Sequence, residues 1–312
     1  MSTVSLLSIV ESCDKVPYNE TEYFSQQKIA RFLVNEVTIG YVDEVALLEM
    51  EKYIATVCER SFRVSKQFVT FHPEVKTFEA RSEVIMDLLK YWKEKGVFSC
   101  LTGWRNEFYP VYGDSKQPGN IAFRVERAGA SIFGFRTFGA HLNGYVRTET
   151  GLKMWIGRRS LKKPTWPGLL DNIVAGGVSY GQSPDETIVR ECDEEANIPS
   201  DITVNIKAAG AITYFDLTER GLAPETQYVY DLELPQDFVP KPNDGEVDCF
   251  YLWDLAEVRQ HIGAGEFKPN CALVIIDFMI RHGHITSSDE PDFLEILDRI
   301  HRRFELPGPK GC

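Results

Sequence analysis

The stretch from Gly176 to Ile198 constrains this chain more than any other, because a glycine-rich loop there runs into a helix whose start, faces and end are all written in the residues. Ser183, followed three residues later by Glu186, forms a capping box, and Pro184 takes the first helical position, where its missing N–H costs nothing. The pattern predicts a helix over Pro184–Ala196. Ile188, Val189, Cys192 and Ala196 make an apolar stripe that would anchor it. Beside that stripe, Glu191, Glu194 and Glu195 stand at i, i+3 and i+4 and share an arc of about 100° on one face. Like charges at this spacing repel by roughly 0.2–0.5 kcal/mol per pair. Glu194 and Glu195 also lie near the helix C-terminus, where the helix dipole disfavours anions. Two readings stay open. The glutamates form a solvated acidic face, or they form a site where a hard divalent cation turns the repulsion into binding energy.

Bulk composition narrows the setting. The 34 basic and 46 acidic residues give a formal net charge of −12, which leaves no overall attraction for nucleic acid or for an anionic membrane. An anionic substrate would need a local reversal of the field, and a bound divalent cation supplies one. Seven cysteines (Cys13, Cys58, Cys100, Cys192, Cys249, Cys271 and Cys312) are widely spaced without a CxxC pair, which fits reduced thiols in the cytosol or nucleus. The first fifteen residues lack the basic start of a signal peptide, and the longest apolar run, Ala272–Ile280, is broken by Asp277 and too short to span a bilayer. The expectation is a cytoplasmic protein, monomer or homodimer, without a membrane or nucleic-acid partner.

Along the chain, helical spacing appears at Val42–Val57 and Ser82–Lys95, the latter stopped by Gly96. The polar, turn-rich Asp114–Asn120 reads as a domain boundary. Beyond it, strand patterns appear at His141–Arg147, Lys153–Arg158, Ile202–Thr213, Thr226–Leu234 and Val247–Leu252. Two helices interrupt them, at Pro184–Ala196 and Leu273–His282. The expected organisation is an N-terminal α+β domain over 1–120, an α/β domain with a mixed, helix-covered sheet over 121–285, and a helical tail over 286–312.

The helix segment resembles the Nudix box: a glycine, five residues, Glu, seven residues, then Arg-Glu-apolar-x-Glu-Glu-x-Gly-apolar. Gly176 and Arg190-Glu191-Cys192-Asp193-Glu194-Glu195 match at that spacing, while Gln182 stands in place of the Glu and Asn197 in place of the Gly. Asn tolerates the left-handed conformation of a helix end, whereas Gln182 removes a negative charge. The resemblance implies an α/β/α sandwich in which Glu191, Glu194, Glu195 and a backbone carbonyl near Gly176 bind Mg2+, or Mn2+ in its place. It gives Arg190 the task of orienting the glutamates; the plainer reading is a surface ion pair. The implied chemistry is hydrolysis of a small organic diphosphate, with Glu191 or Glu195 accepting the proton of the attacking water. Glu246, in Asn243-Asp244-Gly245-Glu246, is the candidate for a further metal carboxylate or else an exposed turn residue.

The likeness extends beyond the box. Ser5–Val10, Gly103–Tyr112, Phe135–Gly144, Trp155–Ser160, Thr165–Asn172 and Phe267–Cys271 are similar to a fungal and plant Nudix group, in some members of which the unit is fused to thiamin pyrophosphokinase. No kinase half follows here, so a stand-alone relative is expected. That resemblance implies removal of the terminal phosphate from thiamin diphosphate and its damaged oxy- and oxo- forms. Trp166, Phe138 and Trp104 are candidates to stack on a flat heterocycle, with core packing as the plainer reading. Arg136 is a candidate phosphate ligand. His141 is a further candidate for substrate contact, although a histidine in an apolar strand is more often structural. Three competing readings are a Nudix hydrolase of another diphosphate, a relative of isopentenyl-diphosphate isomerase, and a non-catalytic ligand-binding protein motivated by Gln182.

Overall fold

In the computed structural model, residues 4–310 are described, so Cys312 lies outside the described residues. Two short helices, α1 (Leu6–Glu11) and α2 (Glu20–Gln26), precede β1 (Ala30–Val34), β2 (Val37–Val42), α3 (Glu44–Thr56), β3 (Phe62–Val64), β4 (Phe68–Phe71) and α4 (Phe78–Lys95). The four strands form one sheet in the order β2-β1-β4-β3. Ala30, Phe32 and Val34 alternate inward along β1, and the Phe32 ring lies 5.3–6.4 Å from those of Phe62, Phe71, Phe123, Phe133 and Phe135. Aromatic rings at such separations dominate the energetics of a core.

Helix α4 starts one turn earlier than apolar spacing alone predicts. Thr77 accepts the Ala80 N–H and caps it, and the added turn carries Arg81 to a buried ion pair with Asp114 at 2.7 Å. Gly96, at φ 64°, ends the helix in the left-handed conformation that a side chain would resist.

That ion pair already ties residue 114 to the first unit. Asp114–Asn120 is the turn of a hairpin between β5 (Phe108–Tyr112) and β6 (Ile121–Glu126), not the boundary expected there. Turn chemistry is the same within a domain as between domains, and the partner strand Ile121–Glu126 lay hidden behind it. One hydrophobic cluster runs from Ala30 to Phe135, so the first unit ends near Phe135 instead of at residue 120.

The second unit is an α/β/α sandwich. Its sheet contains β7 (Thr137–Thr148), β8 (Gly151–Arg159), β9 (Leu170–Asp171), β10 (Val174–Gly177), β11 (Lys207–Thr218), β12 (Gly221–Glu233) and β13 (Val247–Asp254). The order is β11-β12-β7-β8-β13, with β10 on β7 and β9 on β8. β7 and β12 run parallel and the other pairs antiparallel, so the sheet is mixed. Helix α5 (Pro184–Ala196) covers one face, packing on Ala140, Leu142 and Val174. The other face carries α7 (Leu255–Gly263), α8 (Pro269–Arg281) and α9 (Phe293–Ile300); the short α6 (Ser200–Thr203) follows α5. The strand expected from Ile202 therefore begins only at Lys207, because Thr203 closes a turn back on Pro199. α8 starts four residues early, with Pro269 at its first position.

Both ends of the chain join this second unit. Leu6, Ile9, Val10 and Cys13 share a core with α8 and with Ile296 and Ile300 of α9. Residues 286–300 are thus no separate tail, and residues 6–13 are no part of the first unit. Arg302 is buried and pairs with buried Asp14 at 2.8 Å while also donating to the Val16 and Pro17 carbonyls. Removing one partner of such a pair strands a buried charge. Asp14→Ala should cost about 3 kcal/mol, read as a lower denaturation midpoint in urea.

Candidate active site

The residues of α5 fold as their caps dictate. Ser183 Oγ accepts the Glu186 N–H at 3.2 Å, Glu186 Oε2 accepts the Ser183 N–H at 2.8 Å, and Asn197 closes the helix at φ 51°. Thr187, Ile188, Cys192 and Ala196 are buried. Val189, expected in the same stripe, is 45% exposed, since 100° per residue turns it away from the sheet.

This seating presses the glutamates against β10. A Cβ placed on Gly176 would lie 2.1 Å from Glu191 Oε1, so glycine there makes room for the carboxylate. Glu195, only 7% exposed, accepts the Ala175 N–H at 2.9 Å. Burial, together with the charges of Glu191, Asp171 and Glu246, holds its carboxyl well above the usual range. Burial also raises Glu191, against the pull of Arg190. The Arg190 guanidinium donates to Glu191 at 2.8 Å and to Glu194, and reaches the Gln182 amide oxygen at 3.5 Å. Arg190 thus fixes Glu191 and Glu194, and Gln182 keeps an acceptor where the box has a carboxylate.

Glu246 belongs to the loop before β13. It is near enough to Glu191 and Glu195 for its charge to act on both, and it pairs with Lys163. The structure sets Glu191 against Gly176 and Glu195 against the Ala175 N–H, with Glu246 on a loop whose charge reaches both. Glu194 sits at the rim with Arg190. Every donor is a carboxylate or backbone oxygen, and buried like charges crowd together, which is the environment a hard divalent cation fits.

Other expected contacts fall elsewhere. Trp104 stacks under Lys93 in the first unit, with its Nε1–H on Asn106. Phe138 is buried against Tyr112 and Tyr228. Arg136 donates to Thr226 and to the Leu306 carbonyl, and so fastens the segment after α9. His141 is buried and bonded to Asn172 at 2.8 Å; burial and nearby Lys268 push it down to about 4, so it is neutral. Ligand atoms of His141, Asp171 and Cys271 do lie within 4.8 Å of one another. Asp171, however, is already bonded by Arg159 at 2.6 Å and takes the Cys271 thiol at 2.6 Å, with Lys268 alongside. Two cations there oppose a third, and the group reads as an internal polar network. Trp166 differs from these, standing 50% exposed on the loop that carries Lys163.

Sequence reasoning passed over Lys163, Glu107, Tyr109 and Arg127. Glu107 accepts from Ser179 Oγ at 2.8 Å and from Arg127 at 2.8 Å, so the first unit reaches the loop that precedes α5. Glu107 and Tyr109 lay within the Gly103–Tyr112 stretch already singled out. Nothing local marked Arg127 or Lys163.

Residues 143–271 match the NUDIX domain, and residues 5–137 match a domain of unknown function, DUF4743. An uncharacterized protein of Saccharomyces cerevisiae is 38% identical over 97% of this chain and 92% of its own length. Nudix hydrolase 20, chloroplastic, of Arabidopsis thaliana is 41% identical over 87% of this chain and 72% of its own. A solved Deinococcus radiodurans protein superposes with a TM-score of 0.40 at 22% identity, covering 54% of this chain and 97% of that one. Among the described residues no helix is long and apolar enough to cross a membrane.

The raised Glu195 carboxyl gives a signed expectation. Metal-free, the folded protein keeps a proton there that the unfolded chain has released, so stability falls as pH rises from the ordinary carboxylate value through the raised one. Glu195→Gln should raise the metal-free Tm at neutral pH and remove most of the Tm gain on adding Mg2+. Thermal melts with and without the ion check both.

Proposed function

The chain belongs to the Nudix hydrolases and is a hydrolase of phosphoric anhydride bonds, and from that premise we propose that it removes the terminal phosphate of thiamin diphosphate and its oxy- and oxo- analogues, releasing the monophosphate and phosphate. The observation that carries the catalytic part is the seating of Glu191 and Glu195 against the glycine-bearing strand Val174–Gly177, within reach of the Glu246 charge. The thiamin part rests on the likeness to that Nudix group over nearly the whole chain, and on Trp166, whose ring is exposed on the loop that carries Lys163 and suits a flat heterocycle.

Glu191, Glu194, Glu195, Glu246 and the Gly176 carbonyl would hold Mg2+, with Mn2+ as substitute. When bound, the ion neutralises diphosphate oxygens and lowers the pKa of water. Of the two candidate bases, Glu191 is tied to Arg190, whereas Glu195 accepts only the Ala175 backbone N–H among the described residues. Glu195 is the better acceptor for the proton of the attacking water. Arg190 keeps Glu191 and Glu194 oriented, and Lys163 holds the Glu246 loop.

The test is phosphate release from thiamin diphosphate, its oxy- and oxo- forms, ADP-ribose, NADH and coenzyme A, with and without Mg2+. Thiamin-type diphosphates should turn over fastest, and Glu195→Gln should lose at least ~100-fold in kcat. A nucleotide derivative in first place would replace the substrate while keeping the reaction; binding without turnover would favour the ligand-binding reading. Trp166→Ala should raise KM for a heterocyclic substrate about 5-fold, the worth of roughly 1 kcal/mol of stacking, with kcat little changed.

A further inference from the structure

An acidic protein that draws an organic diphosphate to a cluster of glutamates needs a cation for the phosphate that the metal does not neutralise. Four cations near the cluster are already engaged. Arg190 serves Glu191 and Glu194, Lys163 serves Glu246, Arg159 serves Asp171, and Lys268 is enclosed between Asp171 and Cys271. Arg127 is different.

Arg127 opens the 3₁₀ helix Arg127–Phe133 of the first unit. Its backbone N–H donates to the Glu107 carbonyl at 2.8 Å and its Nη1 to Glu107 Oε2 at 2.8 Å. Glu107 Oε1 accepts from Ser179, two residues after Gly177. Next to it the Tyr180 N–H donates to the Phe108 carbonyl at 2.7 Å, so β5 is stitched to the loop ahead of α5. The Arg127 guanidinium stands 5.5 Å from the ring centre of Tyr109, and the Tyr109 hydroxyl is set so close to Gly177 that a Cβ there would come within 2.1 Å of it. Gly177 adjoins Gly176, which faces Glu191. The chain of contacts therefore runs from the guanidinium through Tyr109 and Gly177 to the strand that faces Glu191. Burial alone would lower its proton affinity, yet Tyr109, Glu107 and, further off, Glu246 raise it. Glu107 uses one edge of the fork. Nε and Nη2 have no protein partner among the described residues, and 36% of the side chain is exposed. A planar fork with a free edge is the shape that meets two phosphate oxygens at once.

We propose that Arg127, delivered by the first unit, binds a phosphate of the organic diphosphate beside the Glu191–Glu195–Glu246 cluster and so sets which phosphate lies at the metal. The proposal rests on the hydrolase reading above. It gives the N-terminal unit a direct part in substrate recognition through a residue outside the NUDIX match.

The full chain and its Arg127→Met and Arg127→Lys variants are titrated with imidodiphosphate in the presence of Mg2+ by calorimetry, and with Mn2+ alone by paramagnetic resonance. Arg127→Met should bind imidodiphosphate at least 10-fold more weakly with Mn2+ affinity unchanged, and Arg127→Lys should recover part of the loss. In turnover the same loss should fall on KM rather than kcat. Equal imidodiphosphate affinity in parent and Arg127→Met overturns the proposal. So does a parallel fall in Mn2+ affinity, which would make Arg127 a strut between the units, and so does a parent that binds no imidodiphosphate. A parent that binds the probe through Arg127 yet hydrolyses no diphosphate would sink the hydrolase reading and leave this one standing.

Discussion

The crowding of carboxylates against a glycine strand is the constraint on which the rest of the second unit depends. Glu191 and Glu195 are held there because α5 buries Ile188, Cys192 and Ala196 against the sheet, and because β10 offers Gly176 where a side chain would collide. Burial makes each negative charge costly, and proximity makes each costlier in the presence of its neighbours. Only part of this is relieved by the protein itself, through Arg190, Lys163 and the Ala175 N–H. What remains is a standing demand for positive charge.

How much of this was legible in the residues depended on range. Helix α5 was readable to the residue because Ser183, Pro184, Glu186 and Asn197 act within a turn of where they stand. Glu246 was a candidate only through family likeness, since nothing local relates residue 246 to residue 191. The misplaced boundary at Asp114–Asn120 has a similar origin: a hairpin turn and a linker share composition, and only the pairing of Phe108–Tyr112 with Ile121–Glu126 separates them. Val189 shows that apolar spacing alone does not fix which residues of a stripe are buried, and β11 shows that a β-branched run can open with a helical turn. Of the aromatic candidates, Phe138 and Trp104 were claimed by packing and Trp166 was left free; burial decided among them, and burial is a property of the whole fold.

The two units meet through polar contacts and through a small apolar cluster in which Phe24 and Tyr41 pack with Phe215, Leu222 and Leu306. Ser179 and Tyr180, between Gly177 and the α5 cap, answer to Glu107 and Phe108 from the other side, and Phe78 stacks on Tyr180 at 5.4 Å. The loop that leads into the acidic helix is thereby braced from outside its own unit. A catalytic helix carries its carboxylates only as accurately as its first turn is anchored, so this bracing bears on geometry as well as on stability.

The placement of α1 has a consequence for how the molecule is made. Its apolar residues belong to the layer formed by α8 and α9, although most of the chain separates them in sequence. Topologically, the unit spanning Ala30 to Phe135 is an insertion between the first helix of the sandwich and its first strand. On the ribosome that insertion can complete its own core while Leu6, Ile9 and Val10 still wait, uncovered, for partners that emerge last. Closure of so long a loop makes docking of α1 a late event in folding, with a small greasy segment exposed in the interval.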